Sequence, residues 1–302
     1  MEAAATLRAH KGGVHALAFN SDGMYCMSAG DDRRVLLWNP RREDATPIKE
    51  YTGHSNRVLD IAIAPDNGSF ASCGGDRTVF VWDVPSGRVT RRLQGHTQRV
   101  NAVTYNAEGS VLVSASYDTS VRCWDCRSRS AAPIQVLSES ADSVTCAAVG
   151  QHEIFTSSVD GVLRCYDLRA GLLSCDAVGV VLTHVALSQD GNCALVASLD
   201  STLRLFDKST GQLLCSYKGH ENSSIKLSCS LSFDDAHVLS GSEDGNVHMW
   251  DLVEGRQIAK YRGHKGAVAA LVCDPKRLEV LTASYDGDVK LWGQTSGPLP
   301  RG

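Results

Sequence analysis

The chain has 302 residues, 43% of them hydrophobic and 21% charged, a composition typical of a globular protein and not of a disordered one. Its 30 Lys and Arg against 34 Asp and Glu give a net charge of −4, which argues against nucleic acid or an anionic membrane as the main partner. The 11 cysteines cannot all pair, and their scattered spacing fits neither a disulfide framework nor a zinc site. We therefore expect a reduced, intracellular protein.

Targeting signals are not apparent in the sequence. The longest apolar stretch, residues 176–187, is too short to cross a bilayer. The opening Met1-Glu2-Ala3 is followed by neither a basic region nor a long apolar run, so we expect no secretion signal. These features predict that the protein resides in the cytoplasm, the nucleus or both.

Taken in chain order, the sequence divides into seven similar units, each marked by an aspartate. Successive aspartates lie 40 to 44 residues apart, and an aromatic residue follows each of them six positions later. The aspartates are Asp32, Asp76, Asp118, Asp160, Asp200, Asp244 and Asp286. The aromatic residues are Trp38, Trp82, Trp124, Tyr166, Phe206, Trp250 and Trp292, which include all five tryptophans of the chain. This recurrence predicts a repeat architecture.

Between aspartate and aromatic residue, apolar side chains alternate with a period of two. Val79 and Val81 show the pattern in the second unit, and Val121 and Cys123 show it in the third. A period of two is typical of β-strands, and no helical period of useful length occurs. Prolines such as Pro65 fall only between the strand-like runs. The sequence therefore predicts one small sheet per unit, with neighbouring units packed radially to bury both faces.

The units resemble the WD-repeat family, whose repeats begin near Gly-His, as at His54 and His96, and end in Trp-Asp. The resemblance covers residues 4 to 293 and implies an all-β, seven-bladed propeller with one four-stranded sheet per blade. The implied units span residues 10–53, 54–95, 96–137, 138–178, 179–219, 220–263, and 264–293 together with 4–9.

The N-terminal residues are predicted to close the ring. Leu7 aligns with Leu93, which lies just before the histidine of the third unit, so we infer that residues 4–8 supply the outer strand of the seventh blade. Residues 294–302 lack strand character and are predicted to be a flexible tail.

Recurring His, Ser and Asp residues could indicate a nucleophilic triad, but catalysis needs one exposed constellation and this one occurs five times. In the WD-repeat pattern these residues form a buried hydrogen-bond chain from aspartate through histidine and hydroxyl to the indole. By similarity, the chains are His10, Ser28, Asp32 and Trp38; His54, Ser72, Asp76 and Trp82; His96, Ser114, Asp118 and Trp124; His220, Ser240, Asp244 and Trp250; and His264, Thr282, Asp286 and Trp292. The fourth and fifth units lack the histidine, so we expect them to be the softest part of the ring.

The remaining chemistry does not indicate an enzyme. Cys123 and Cys126 form a Cys-x-x-Cys pair, but Cys123 falls on an inward strand position and no second pair exists, so we expect core packing. We predict no catalytic, cofactor-binding or metal-binding residues, and we expect any contact with RNA to be indirect.

The ends of a propeller carry loops that can bind partner proteins. In WD-repeat propellers the residue before the repeat aspartate and the third residue after the repeat histidine tend to face the narrower end. The resemblance thus implies a partner-binding set of Asp31, Arg57, Arg99, Tyr117, Glu243 and Tyr285. Arginine and tyrosine are frequent interface anchors.

Three segments, residues 120–129, 199–214 and 242–255, resemble the mitogen-activated protein kinase organizer family of small seven-bladed WD-repeat proteins. That resemblance implies a scaffold for a kinase cascade, membership in spliceosomal complexes, or both. Proteins are the partners it implies, and we expect a monomer within larger complexes.

A competing interpretation rests on residues 112–127 and 154–169. Both segments resemble the Trp-Asp-x-Arg box of substrate receptors for cullin-type ubiquitin ligases. In those receptors the terminal arginine, here Arg127 or Arg169, contacts the ligase adaptor. Arginine after Trp-Asp is also common in WD repeats that have no such role.

Overall fold

The period-two segments form β-strands in the computed structural model, which describes residues 3–293. Within this range there are 28 strands and no helix. In chain order they are β1 (Ala5–Arg8), β2 (Val14–Phe19), β3 (Cys26–Gly30), β4 (Arg34–Trp38), β5 (Lys49–Thr52), β6 (Val58–Ile63), β7 (Ser69–Gly74), β8 (Val79–Asp83), β9 (Val89–Leu93), β10 (Val100–Tyr105), β11 (Val111–Ser116), β12 (Val121–Asp125), β13 (Gln135–Leu137), β14 (Val144–Val149), β15 (Glu153–Ser158), β16 (Val162–Asp167), β17 (Leu172–Ala177), β18 (Leu182–Leu187), β19 (Cys193–Ser198), β20 (Thr202–Asp207), β21 (Leu213–Lys218), β22 (Cys229–Leu231), β23 (His237–Gly241), β24 (Asn246–Asp251), β25 (Gln257–Arg262), β26 (Val268–Cys273), β27 (Val280–Ser284) and β28 (Asp288–Trp292).

The strands form seven four-stranded antiparallel sheets. Blade 1 contains β2–β5, and each following group of four strands forms the next blade, up to β22–β25 in blade 6. Blade 7 contains β26–β28 and β1. The prediction of an all-β, seven-bladed propeller is therefore confirmed.

Strand β1 completes the last blade, as predicted from the alignment of Leu7. It runs antiparallel to β28, with Leu7 opposite Val289. The amide of Ala4 also donates to the carbonyl of Leu291 at 2.8 Å. The Leu7 side chain is buried in the apolar cluster that joins blade 7 to blade 1. Residues 294–302, predicted to be a tail, lie outside the described residues.

The core lies between neighbouring blades, because a single blade would leave both of its faces exposed to solvent. Between blades 1 and 2, for example, Tyr51 and Phe70 pack with Trp82, whose indole stacks on the Phe70 ring at 5.7 Å. Burying such a side chain contributes roughly 1.5–3 kcal/mol. Alternate residues of each strand point to opposite faces, so the period-two pattern supplies apolar contacts to both neighbours.

The meander connectivity sorts the loops onto two ends of the ring. One end, here called the aspartate end, carries the loops between blades and the turns between second and third strands, which hold the repeat aspartates. The opposite end carries the remaining turns. There, Arg41 of the β4–β5 loop donates to Asp274 of the β26–β27 turn at 2.5 Å and to the carbonyl of Gly23 in the β2–β3 turn at 2.5 Å.

Candidate partner-binding surface and the polar chains beneath it

A complete polar chain lies under the aspartate end in blade 2. The Trp82 indole N–H donates to Ser72 Oγ at 2.8 Å, which leaves the hydroxyl proton for Nε2 of His54 at 2.6 Å. Nδ1 of His54 then donates to the Asp76 carboxylate at 2.7 Å. Because the Asp76 carboxylate can only accept, Nδ1 of His54 carries the proton, and Nε2 of the neutral ring accepts from the Ser72 hydroxyl.

Two other blades repeat this arrangement with little change. The same contacts, at 2.7–3.1 Å, join His10, Ser28, Asp32 and Trp38 in blade 1 and His96, Ser114, Asp118 and Trp124 in blade 3.

Blade 7 has the same chain with threonine in place of serine. Thr282 Oγ1 accepts from the Trp292 indole at 2.7 Å and donates to Nε2 of His264 at 2.8 Å. Nδ1 of His264 lies 3.1 Å from the Asp286 carboxylate. Thr282 has no exposed surface at all, so it is a structural group inside blade 7 and cannot contact a partner.

These chains are suited to holding the blades together and not to catalysis. The hydroxyls of Ser28, Ser72 and Ser114 are fully buried, as is that of Thr282, so no substrate can reach them. Burial alone would raise the pKa of Asp32, but hydrogen bonds from His10 and Arg34 outweigh it and hold that pKa well below its usual range. A permanent carboxylate therefore anchors the chain.

The predicted chain of blade 6 does not form, and this part of the prediction is wrong. The Ser240 hydroxyl donates to the carbonyl of Gly241, and the Trp250 indole donates to the carbonyl of Lys218 at 3.0 Å. Both ring nitrogens of His220 are buried without a hydrogen-bond partner among the described residues. Asp244 pairs with Lys260 at 2.8 Å and not with His220.

Two features distinguish blade 6 from the complete chains: a longer loop and a second histidine. His220 lies 24 residues before Asp244, two more than in the complete chains, and so misses the register. His248 lies four residues after Asp244 and stacks on the Trp250 indole at 5.7 Å, while the His220 ring makes its own edge contact with that indole at 5.6 Å. Burial, and secondarily the nearby His248, lowers the pKa of His220 to about 4.

In blades 4 and 5 an arginine replaces the missing histidine, which the sequence analysis did not anticipate. Arg164 donates to Asp160 at 2.7 and 3.1 Å, and Arg204 donates to Asp200 at 2.5 and 3.2 Å. The sequence pattern Asp-x-x-x-Arg indicates these pairs. The arginine lies on the strand that follows the turn, and its long side chain can reach back to the turn aspartate. These two pairs stabilise the aspartate turns. They do not continue to an indole, because Tyr166 and Phe206 stand at the tryptophan positions of these blades.

Four residues of the predicted partner-binding set line the aspartate end around the central channel. A cavity of about 460 Å³ opens there, and Arg57, Arg99 and Tyr285 are part of its wall. The Arg99 guanidinium lies 4.5 Å from the centre of the Tyr117 ring, a cation–π contact that orients both side chains. Tyr117 and Tyr285 are 47% and 43% exposed.

The channel wall below them is polar because the innermost strands begin with β-bulges. In β2 and β10 the bulge turns His15 and Asn101 toward the cavity. Asp60 and His184 contribute further polar groups to the wall. The period-two pattern of apolar residues does not show where bulges occur, so the sequence did not predict this polar wall.

The two carboxylates of the predicted set are already engaged within the chain. Asp31 accepts hydrogen bonds from the amide of Gly13 and from His15 at 2.8 Å. Glu243 accepts from the amides of Ser223, Ser224 and Ile225 at 2.7–3.2 Å, which fixes the lengthened loop. Both residues therefore help to position the surface, and their contact with a partner stays a prediction.

Positive charge without an ion pair is available at the channel mouth. Within residues 3–293, the guanidinium groups of Arg33, Arg57 and Arg99 form no ion pair. The nearby carboxylates of Asp31 and Asp32 pair with His15 and Arg34. These three arginines also line a shared groove outside the channel mouth. The three arginines and the two exposed tyrosines thus form a cationic surface at the channel mouth, on an end that also carries the exposed carboxylates of Asp142 and Glu221.

Arg127 and Arg169, the alternative adaptor contacts, lie at the opposite end in the third-to-fourth-strand turns of blades 3 and 4. The Arg127 side chain is 77% exposed and 3.5 Å from Asp125.

Cys123 is buried in the core, which raises its pKa to about 11, and Cys126 belongs to a different packing cluster. Among residues 3–293 no group of three candidate metal ligands occurs. That range also holds no helix of the length and apolarity needed to cross a membrane.

Comparison with known proteins agrees with this architecture. The family model "WD domain, G-beta repeat" matches residues 1–39, 45–83, 87–125, 174–207, 211–251 and 255–293. It passes over residues 126–173, which contain most of blade 4.

Relatives named WD repeat domain-containing protein 83 match the chain over most of its length. The rat protein is 47% identical over 235 residues, or 78% of this chain and 74% of the relative. The Xenopus tropicalis protein is 49% identical over 286 residues, 95% of this chain and 90% of the relative. A Dictyostelium discoideum homologue is 30% identical over 315 residues, with 95% and 96% covered.

These relatives are also known as MAPK organizer 1, and WD-repeat propellers generally serve as non-catalytic platforms for protein interaction. Seven blades, four complete polar chains and the matched repeats place this chain in the WD-repeat family, alongside the WD repeat domain-containing protein 83 group.

Proposed function

We propose that this chain is a non-catalytic scaffold that organises a mitogen-activated protein kinase module, acts in spliceosomal complexes during pre-mRNA splicing, or does both. The name MAPK organizer 1 of the relatives supports the kinase-cascade role, and the resemblance described for the sequence supports the splicing role. The architecture supports the scaffold role, because the buried chains leave only the ends and rim for contact. The single observation that carries the partner site is the pair of guanidiniums beside the channel mouth, Arg57 and Arg99, which form no ion pair with any residue that the structure describes.

Such a surface suits a protein segment that carries acidic side chains. Arginine presents a planar fork of donors that binds carboxylates in a bidentate manner. Tyr117 holds the Arg99 guanidinium in place, so little side-chain entropy is lost when a partner binds. Tyr285 adds an exposed aromatic ring at the same mouth, in edge contact with His15.

The test is affinity purification of the full chain followed by mass spectrometry. We expect kinase-cascade or spliceosomal proteins with the wild type and their loss with Arg57→Glu/Arg99→Glu. The matched control is Arg42→Glu/Arg256→Glu, which makes the same charge change on exposed arginines of the opposite end. If all three chains co-purify the same proteins, the arginine surface is not the partner site. If the wild type co-purifies neither kinase-cascade nor spliceosomal proteins, the proposed role is wrong.

A second candidate function is substrate reception for a cullin-type ubiquitin ligase. Arg127 and Arg169 favour it because both are exposed and lie at the same end of adjacent blades. In the fourth unit the box departs from the pattern, since Tyr166 stands in place of tryptophan. Unchanged ligase-adaptor recovery with Arg127→Ala/Arg169→Ala would end this interpretation.

We also propose that the protein works as a monomer in the cytoplasm and nucleus. A fluorescent fusion of the full chain should be found in both compartments, and sedimentation of the purified chain should give a single monomeric species. Exclusion from the nucleus would contradict the splicing role.

A further inference from the structure

A second cavity lies at the opposite end of the ring, between blades 6 and 7. It encloses about 250 Å³, room for one large side chain. Its walls come from Leu239 and Met249 of blade 6 and from Val280 and Trp292 of blade 7. The cavity is therefore a gap in the packing between two blades that opens to solvent.

The rim of this cavity is also apolar. Phe233, Ile258 and Leu278 surround the opening and are 36%, 42% and 45% exposed. They come from three different loops and strands, yet they meet at one opening. Concave apolar sites with a few polar groups are the usual form of ligand pockets.

Two polar features at the cavity lack partners within residues 3–293. Nδ1 of His237, which lines the wall, is buried without a hydrogen bond. Arg277 at the rim and its neighbour Lys276 are exposed and form no ion pair there. Glu279, the carboxylate that lines the cavity, is already paired with Arg41. Positive charge is therefore free on the blade 7 side of the opening, while Asp234 of blade 6, beside Phe233, is engaged by the Ser232 hydroxyl and the Ala236 amide.

We propose that this blade 6–7 pocket binds an extended segment of a protein partner in which one large apolar side chain is flanked by carboxylates. The apolar side chain fills the cavity, a polar group beside it satisfies His237, and the carboxylates pair with Lys276 and Arg277. The pocket lies at the end opposite Arg57 and Arg99, so the chain can hold two partners at once. This site is independent of the function proposed above.

The test is selection of a random-peptide phage library on the purified full chain. Enriched peptides should contain leucine or an aromatic residue next to Asp or Glu, and a labelled enriched peptide should bind in fluorescence anisotropy. Leu278→Asp and Lys276→Glu/Arg277→Glu should each weaken binding by about tenfold or more. All three positions are exposed, so these variants should fold, which circular dichroism verifies.

Two controls separate this pocket from other surfaces. Leu168→Asp changes a comparably exposed leucine at the same end in blade 4 and should leave peptide binding intact. Arg57→Glu/Arg99→Glu should also leave it intact, so failure of the scaffold surface does not affect this result. Unchanged affinity with Leu278→Asp, or enrichment of peptides without acidic residues, would overturn the proposal. So would self-association of the wild type that Leu278→Asp abolishes, because a second copy would then be the occupant.

Discussion

Lys226 and Asn101 belong to opposite sides of the ring, yet Nζ of Lys226 donates to the backbone carbonyl of Asn101 at 2.9 Å. Lys226 comes from the loop before blade 6, and Asn101 lies in the innermost strand of blade 3. The lysine side chain therefore spans the central channel beneath the cationic surface. Its charge also opposes the effect of burial on Asp60, which raises the pKa of that carboxyl.

This relationship predicts an energetic coupling between Lys226 and Asp60. Lys226→Met should cost about 1–3 kcal/mol because it leaves the Asn101 carbonyl without its donor. The double variant Lys226→Met/Asp60→Asn should lose less stability than the sum of the two single losses. Without the Asp60 carboxylate, there is no buried charge for Lys226 to compensate. Denaturant unfolding of the four chains measures the coupling. Losses that add within about 0.5 kcal/mol would show that the two groups act separately.

Glu243 is predicted to hold the lengthened loop in place. Partial burial would raise its pKa, but the donors of Ser223, Ser224 and Ile225 outweigh it and lower the pKa to about 2. Its contribution is therefore complete above the unfolded value of 4.5 and is lost as the pH falls towards 2. Glu243→Ala should speed hydrogen exchange of the Ser223–Ile225 amides at neutral pH. If those amides exchange as slowly as in the wild type, Glu243 does not order the loop.

The two kinds of polar chain predict different costs for the same substitution. Ser72→Ala removes the link between His54 and Trp82 and should cost about 1–3 kcal/mol, because it strands buried groups. Ser240→Ala changes a serine that is equally buried at the equivalent position but bonds only to its neighbour's carbonyl. Its cost should be below about 1 kcal/mol. Equal losses in thermal unfolding would contradict the difference between the blades.

His220 is predicted to make stability depend on pH in the mildly acidic range. Its folded pKa of about 4 lies below the unfolded value of 6.5, so the unfolded chain binds protons more readily. Stability is therefore full above pH 6.5 and falls as the pH drops towards 4. His220→Leu should be within about 1 kcal/mol of wild type at pH 7, because no hydrogen bond is lost, and should flatten this dependence.

The control for that experiment is His54→Leu, which breaks a complete chain. It should cost about 1–3 kcal/mol at pH 7. Unfolding curves collected between pH 7 and 4.5 compare both variants with the wild type. A wild-type slope in His220→Leu would assign the pH dependence to other groups.

Closure of the ring by β1 predicts that one buried leucine near the N-terminus is essential. Leu7→Ala should cost about 2–5 kcal/mol, as expected for a fully buried leucine, and deletion of residues 1–9 should lower the melting temperature further. Arg8→Ala is the control, because the Arg8 side chain is 72% exposed and its ion pair with Asp288 should contribute no more than about 1 kcal/mol. An unchanged melting curve after the deletion would contradict closure.

The repeat pattern predicted the fold because each blade supplies the same apolar alternation, and the packing of one blade constrains the next. Leu7 could be placed for the same reason, by alignment with Leu93. The failure at His220 has a physical origin: two extra residues in the loop move the histidine out of the register that the complete chains share. The roles of Glu243 and Lys226 depend on how one irregular loop folds across the channel, and no period in the sequence encodes that.

The pairing of β1 with β28 has a consequence for biogenesis. Arg8 and Asp288, which meet in the last blade, are separated by 280 positions along the chain. At a translation rate of about 5–20 residues per second, Arg8 emerges roughly 15 to 60 seconds before its partner is made. Until then the nascent polypeptide is an open arc whose first and latest blades each expose one apolar face, so the ribosome-bound intermediate needs protection from aggregation until the final strand arrives.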